Sequence, residues 1–171
     1  MKALVPLDGS DLALSVVPTA RGLLGSVPGV EIHLLTVLDP RDVQGQADRG
    51  ASEHAAVPVG SHGPTVATPL PRVVESHGQA MERRRTEAHE RLNSIAREHF
   101  PGTAATCRAA YSRHPAATIA EVAAEIGADV IVMATHGRSG VASLVAGSVT
   151  QEVIRASGRP VLVICPLARH A

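Results

Sequence analysis

Apolar positions along this chain fall into two alternating textures. Short runs rich in β-branched residues occur at residues 2–7 (KALVPL), Val30–Leu38 (VEIHLLTVL), Thr103–Tyr111, Val130–Met133 and Val161–Cys165. Runs this short and this apolar predict buried strands of a parallel sheet rather than helices. Between them, apolar residues recur every three or four positions, which predicts amphipathic helices. The first covers Leu12–Leu24, with Ala13, Val16, Val17, Ala20, Leu23 and Leu24 inward, Ser10 or Asp11 as its cap, and a kink at Pro18. The second runs from about Ser76 to His99, with Met81, Ala88, Leu92 and Ile95 on one face and i,i+4 pairs Arg83–Glu87 and Glu87–Arg91. The third begins at Pro115 and runs to Ile126, burying Ile119, Val122, Ala123 and Ile126, with Gly127 at the left-handed C′ position. The last covers Val149 to about Ser157 and is stopped by Gly158-Arg159-Pro160. Strands alternating with helices predict an α/β fold whose sheet is parallel by the right-handed crossover rule.

One stretch breaks the alternation. From Arg41 to about Glu75 the periodicity disappears, Gly, Pro, Ser, Ala and His dominate, and prolines recur at 58, 64, 69 and 71. A connection of that length inside a compact domain is either functional or disordered, and the expectation is a flexible insertion within a single domain spanning 1–171. His54, His62 and His77 lie in or beside it, at spacings that match no standard metal-ligand pattern.

Composition narrows the function classes. With 171 residues and 44% hydrophobic content the chain can bury a proper core, but Phe100 and Tyr111 are its only aromatics, so base stacking is a poor basis for nucleic-acid binding. The formal charge is zero, which argues against a large basic footprint, and the Arg83-Arg84-Arg85 run reads as a solvated helix face because acidic residues flank it. No run reaches membrane-spanning length and the N-terminus lacks a signal peptide's apolar segment. Cys107 and Cys165 have no metal spacing, so a reduced cytoplasmic setting is expected, with neither membrane nor nucleic acid as partner.

The chemistry concentrates in Val130–Ser148, VIVMATHGRSGVASLVAGS. A strand runs into a glycine loop, and Ser148-Val149-Thr150-Gln151 has the form of a capping box. Glycines let backbone N–H groups converge and a helix N-terminus adds partial positive charge, so this is a place for an anion. No Gly-Lys-[Ser/Thr] follows the glycines, so it is not a Walker A loop.

These residues resemble the universal stress protein family, whose nucleotide-binding members carry G-x2-G-x9-G-[ST] between the fourth strand and the last helix. Gly137, Gly147 and Ser148 match, and Ala134 stands in place of the first glycine, putting a β-carbon where the backbone passes closest to ligand. DGS after the first strand, GADVIVMATHGRSG, GSVTQEVI and PVLVICP extend the resemblance across everything but the insertion. The resemblance implies a five-stranded parallel sheet of order 3-2-1-4-5 with helices on both faces, Rossmann-like and similar to the adenine nucleotide alpha hydrolases. Its ligand site then lies at the switch point between strands one and four. It implies ATP as ligand, with Mg²⁺ through Ser148. The binding residues it implies are Pro6, Leu7, Asp8, Ser10, Val37, Met133, Ala134, Thr135, His136, Gly137, Arg138, Ser139, Gly140, Gly147, Ser148 and Val149. Among them Asp8 and Val37 would hold ribose and adenine, Gly137, Arg138 and Gly140 would wrap the phosphates, and Gly147, Ser148 and Val149 would present the helix start to the outer phosphates. For His136 a general base and a positioning role are both open, and the resemblance implies positioning. It also implies a homodimer through Val161–Cys165. A stress sensor or regulator with at most weak ATP hydrolysis is the leading function. A nucleotide-free stress protein acting through dimer and partner contacts is the first alternative, and a slow ATPase or phosphoryl-transfer enzyme the second. No catalytic residue can be named from the sequence.

Overall fold

The computed structural model describes residues 1–43, 76–134 and 148–165. Five strands, β1 (Lys2–Pro6), β2 (Glu31–Leu38), β3 (Ala104–Tyr111), β4 (Val130–Ala134) and β5 (Val161–Ile164), form one parallel sheet in the order β3-β2-β1-β4-β5. The helices are α1 (Asp11–Leu24), α2 (His77–His99), α3 (Pro115–Glu125) and α4 (Ser148–Ala156). The chain moves across the sheet in one direction from β1 to β3 and in the other from β4 to β5. Right-handed crossovers therefore put α1 and α2 on one face and α3 and α4 on the other.

Two cores follow from this division and from side chains alternating along each strand. Ala3, Val5, Ile32, Leu34 and Val132 pack against Val16, Val17 and Ala20 of α1 and Leu92, Ile95 and Ala96 of α2. Leu4, Leu35, Ile131 and Met133 pack against Ile119, Val122 and Ala123 of α3 and Val153 of α4.

The predicted fold class and order are observed, with local corrections. Leu23 is 52% exposed, because it falls at the margin of the stripe made by Ala13, Val16, Val17, Ala20 and Leu24. Along α2, Ala80 and Ala96 are buried while Met81 and Ala88 are only half-buried, since the C-terminal half of the helix does most of the docking. Arg83 pairs with Glu87 at 2.7 Å as expected, but Arg91 turns away from Glu87 and donates to the Gly9 carbonyl at 3.1 Å. Ile126 caps α3 half-buried, and Gly127 has the expected positive φ of 64°. Order persists past Arg41: Pro40–Asp42 forms a 3₁₀ turn capped by Asp39, and Val43 is buried. The Arg41 guanidinium clasps Asp39 and holds its carboxyl at about 2. The rest of the insertion, 44–75, lies outside the described residues. Finally, α4 is described from Ser148 onward, and among the described residues no side-chain bond joins Ser148 and Gln151 as the anticipated capping box requires.

Pro18 sits exposed inside α1 with no N–H to offer Leu14. Pro18→Ala is expected to stabilise the protein by about 1–3 kcal/mol in urea denaturation, since an interior helix proline costs on that order. His33 on β2 has its Nε2 buried with no hydrogen-bond partner. Burial lowers its pKa below 6.5; Glu31, 3.9 Å away, opposes this and Lys2 reinforces it. The folded state thus favours the neutral ring, and the unfolded chain binds the proton more readily. Stability should be full above pH 6.5 and fall as the pH drops from there to the folded-state pKa. In His33→Leu, denaturation curves across pH 5–7.5 should show this slope flattened.

Candidate functional site

The site begins with two strands that stop pairing. β1 pairs with β2 through Pro6↔Leu35, but with β4 only at Ala3↔Val130 and Leu4↔Ile131. The direction of the backbone groups explains the difference. Lys2 N–H donates to Asp129 Oδ2 at 2.7 Å and its carbonyl accepts from Asp129 N–H at 2.8 Å, both toward β4. Leu7 N–H donates to the Leu35 carbonyl at 2.8 Å, toward β2. Alternation then turns the nitrogen of Pro6 toward β4, where a proline has no hydrogen to give. The ladder ends and a crevice opens between the carboxyl ends of β1 and β4, the topological switch point.

A cavity of about 350 Å³ fills that crevice. Its apolar wall includes Leu35 and Val37 of β2, Met133 and Ala134 of β4, and Pro115 and Ile119 at the start of α3. Its polar rim carries Asp8, Ser10, Ser148 and Thr150. The first turns of α1, α3 and α4 all open onto it, and helix N-termini favour negative charge. An apolar slot beside a rim of hydroxyls and helix starts suits a ligand with a flat apolar part and an anionic part, and the volume falls in the range of small-molecule sites.

The turn between β1 and α1 is held by its own side chains. Asp8 Oδ1 accepts from the Ser10 amide at 2.9 Å and the Ser10 hydroxyl at 2.6 Å, while Ser10 Oγ accepts from Ala13 N–H at 3.1 Å as the helix cap. Gly9 has φ 82°, a conformation costly for a residue with a β-carbon. Below the turn the Leu7 carbonyl accepts from the buried Thr36 hydroxyl at 2.8 Å. Across the crevice, Thr150 Oγ1 donates to the Ala134 carbonyl at 3.3 Å and ties the start of α4 to the end of β4.

Pro6, Leu7, Asp8, Ser10 and Val37, together with Met133, Ala134, Ser148 and Val149, line this one cavity. Thr135, His136, Gly137, Arg138, Ser139, Gly140 and Gly147 lie outside the described residues. Sequence reasoning missed Leu12, Ala13, Leu35, Pro115, Ile119 and Thr150 as lining residues. Leu35 could have been found, since it shares a face of β2 with Val37; Pro115 and Ile119 required knowing which helix end meets the switch point. Among the described residues no cluster of His, Cys, Asp or Glu could hold a metal ion, and His77 is exposed at the start of α2. His54 and His62 lie outside the described residues. No described helix is long and apolar enough to cross a membrane. Both cysteines are free; burial pushes the Cys107 thiol up, with Arg97 opposing.

Known proteins of similar sequence and shape agree with this architecture. The pattern of the universal stress protein family matches residues 1–164. Universal stress protein MJ0531 of Methanocaldococcus jannaschii is 27% identical over 164 residues, 95% of this chain and 81% of that protein. Universal stress protein MJ0577 of the same organism is 40% identical over a 50-residue stretch, 29% of this chain and 31% of that protein. The solved structure of MJ0577 superposes with a TM-score of 0.67 at 24% identity, covering 96% of this chain and 94% of that one. A universal stress protein solved in complex with cAMP superposes with a TM-score of 0.54 at 20% identity, covering 97% of each chain. The structural likenesses establish a shared fold, and the family match runs through nearly the whole sequence: the chain belongs to the universal stress protein family.

Proposed function

We propose that this protein binds an adenine nucleotide, ATP with Mg²⁺ foremost, in the β1/β4 crevice and acts in the cytoplasm as a stress-response sensor or regulator. The observation that carries the reading is the cavity itself. It joins an apolar slot to a polar, helix-start rim at the one place where a doubly wound sheet offers a ligand crevice. The cAMP complex of a protein with the same fold supports the adenine class. In this reading Val37, Met133 and Ile119 face the base and Asp8 the ribose. Ser148 and Val149 at the start of α4, with Gly137, Arg138, Gly140 and Gly147, hold the phosphates. Ser148 is the residue that would reach a nucleotide-bound Mg²⁺, whose charge would offset that of the phosphates. Hydrolysis, if present, is slow, and no residue is assigned to it.

The second reading, a nucleotide-free protein working through partners, is favoured by the Ala134 side chain among the cavity's lining residues. The two readings differ in a single substitution. Native mass spectrometry of the purified protein is expected to release adenine nucleotide, and Ala134→Gly, which removes the methyl, should tighten ATP binding by calorimetry a few-fold. Nucleotide-free protein whose melting is unmoved by ATP, before and after the substitution, would establish the partner reading.

The dimer belongs to the same proposal. β5 lies at the edge of the sheet with Val161–Ile164 each only half-buried, and an apolar strand edge invites pairing with a second copy. Sedimentation at micromolar concentration is expected to show a dimer, and Val163→Lys should shift it to monomer; a wild-type monomer sinks the assignment.

A further inference from the structure

We infer that Arg91 and Thr36 are positioning residues of the crevice, aiming the Asp8 carboxylate by gripping the carbonyls on either side of it; the inference rests on the nucleotide reading for its consequence in binding. The hydrogen bonds Asp8 makes with Ser10 are all within the turn. They shape the turn but do not fix how it sits against the sheet. Two side chains from other elements do. Thr36, 9% exposed on β2, donates from below to the Leu7 carbonyl at 2.8 Å. Arg91, on α2 and 82 positions along the chain from Gly9, donates through Nη2 to the Gly9 carbonyl at 3.1 Å. Its Nη1 lies 3.5 Å from where a β-carbon on Gly9 would stand, so the guanidinium lies against the turn at its most freely rotating residue. With the Leu7 and Gly9 carbonyls both held, the Leu7–Asp8 peptide just before the carboxylate and the Gly9–Ser10 peptide one residue after it are pinned, which narrows the backbone freedom left to Asp8 between them. Oδ2 of that carboxylate accepts no hydrogen bond among the described residues, while Asp8 lines the cavity.

A plain docking role for Arg91, fastening α2 to the turn, makes a different prediction. Docking would show in stability, whereas positioning shows in ligand affinity and in the mobility of the turn. Arg91 is solvent-exposed, so its removal should leave the melting temperature close to that of the wild type.

The test uses the full chain with Arg91→Ala, Arg91→Lys and Thr36→Val. ATP titration calorimetry is expected to show roughly five- to tenfold weaker binding for Arg91→Ala, on the scale of one ordinary hydrogen bond felt indirectly through the turn, and recovery of most of it in Arg91→Lys. Thr36→Val should weaken binding similarly. In ligand-free protein, amide hydrogen exchange at Gly9 and Ser10 should rise in Arg91→Ala and return toward wild type in Arg91→Lys. Unchanged exchange in Arg91→Ala, or an affinity loss in Arg91→Ala matched by a global loss of stability, overturns the inference. Wild-type protein that binds no ATP would sink the nucleotide reading alone, and the exchange measurement would still decide whether Arg91 holds the turn.

Discussion

β1 and β4 share two paired positions and then part, and the site depends on that parting. A parallel sheet gains by extending its ladders, so a gap at its centre needs a cause. Here the cause is a missing hydrogen: Pro6 occupies the position whose N–H would point toward β4. The side of Pro6 toward β2 loses nothing, because Leu7 supplies the next bond there. One proline thus ends pairing on the switch-point side alone. Below the gap, the exchange between Lys2 and Asp129 fixes the two strands at their other end, so they separate from a firm base.

The handedness of the crossovers turns this local gap into a lined chamber. Because every strand is parallel, each helix begins at the carboxyl ends of the strands, and the reversal of direction after β3 places those helix starts on both faces of the same end. The starts of α1, α3 and α4 therefore converge without any special sequence beyond the alternation itself. What the sequence adds is the character of the walls. Leu35, Val37 and Met133 make one side apolar, and Asp8, Ser10, Ser148 and Thr150 make the rim polar.

How much of this was legible beforehand follows from the range of the interactions involved. The strands, the helix caps at Ser10 and Gly127, and the Arg83–Glu87 pair depend on residues within one turn or one strand, and the sequence carried them. The site residues Asp8, Ser10, Val37 and Met133 were named through the resemblance and their place at strand ends, and they share one cavity. The misreadings lie where a distant partner decides. The carboxylate of Asp129 reaches Lys2, 127 positions away, a contact with no local signature in the sequence. Arg91 has an acidic neighbour at the right helical spacing, yet it prefers a carbonyl on another element. Leu23 fits the apolar period of α1, but at the edge of a stripe where the sheet below no longer covers it. Periodicity specifies a face; it does not specify how wide a face the neighbouring layer hides.

The walls of the cavity come from positions as early as Pro6 and as late as Thr150, drawn from β1, β2, α1, α3, β4 and α4. No fragment of the chain, and no partly folded form lacking one of these elements, encloses that space. Occupancy is consequently coupled to the cooperative unfolding of the whole domain rather than to a local segment. Any molecule held there would protect the entire fold by mass action, about 2.7 kcal/mol at a free concentration a hundred times its Kd. In a cell, the lifetime of such a protein would then track the abundance of whatever fills its centre.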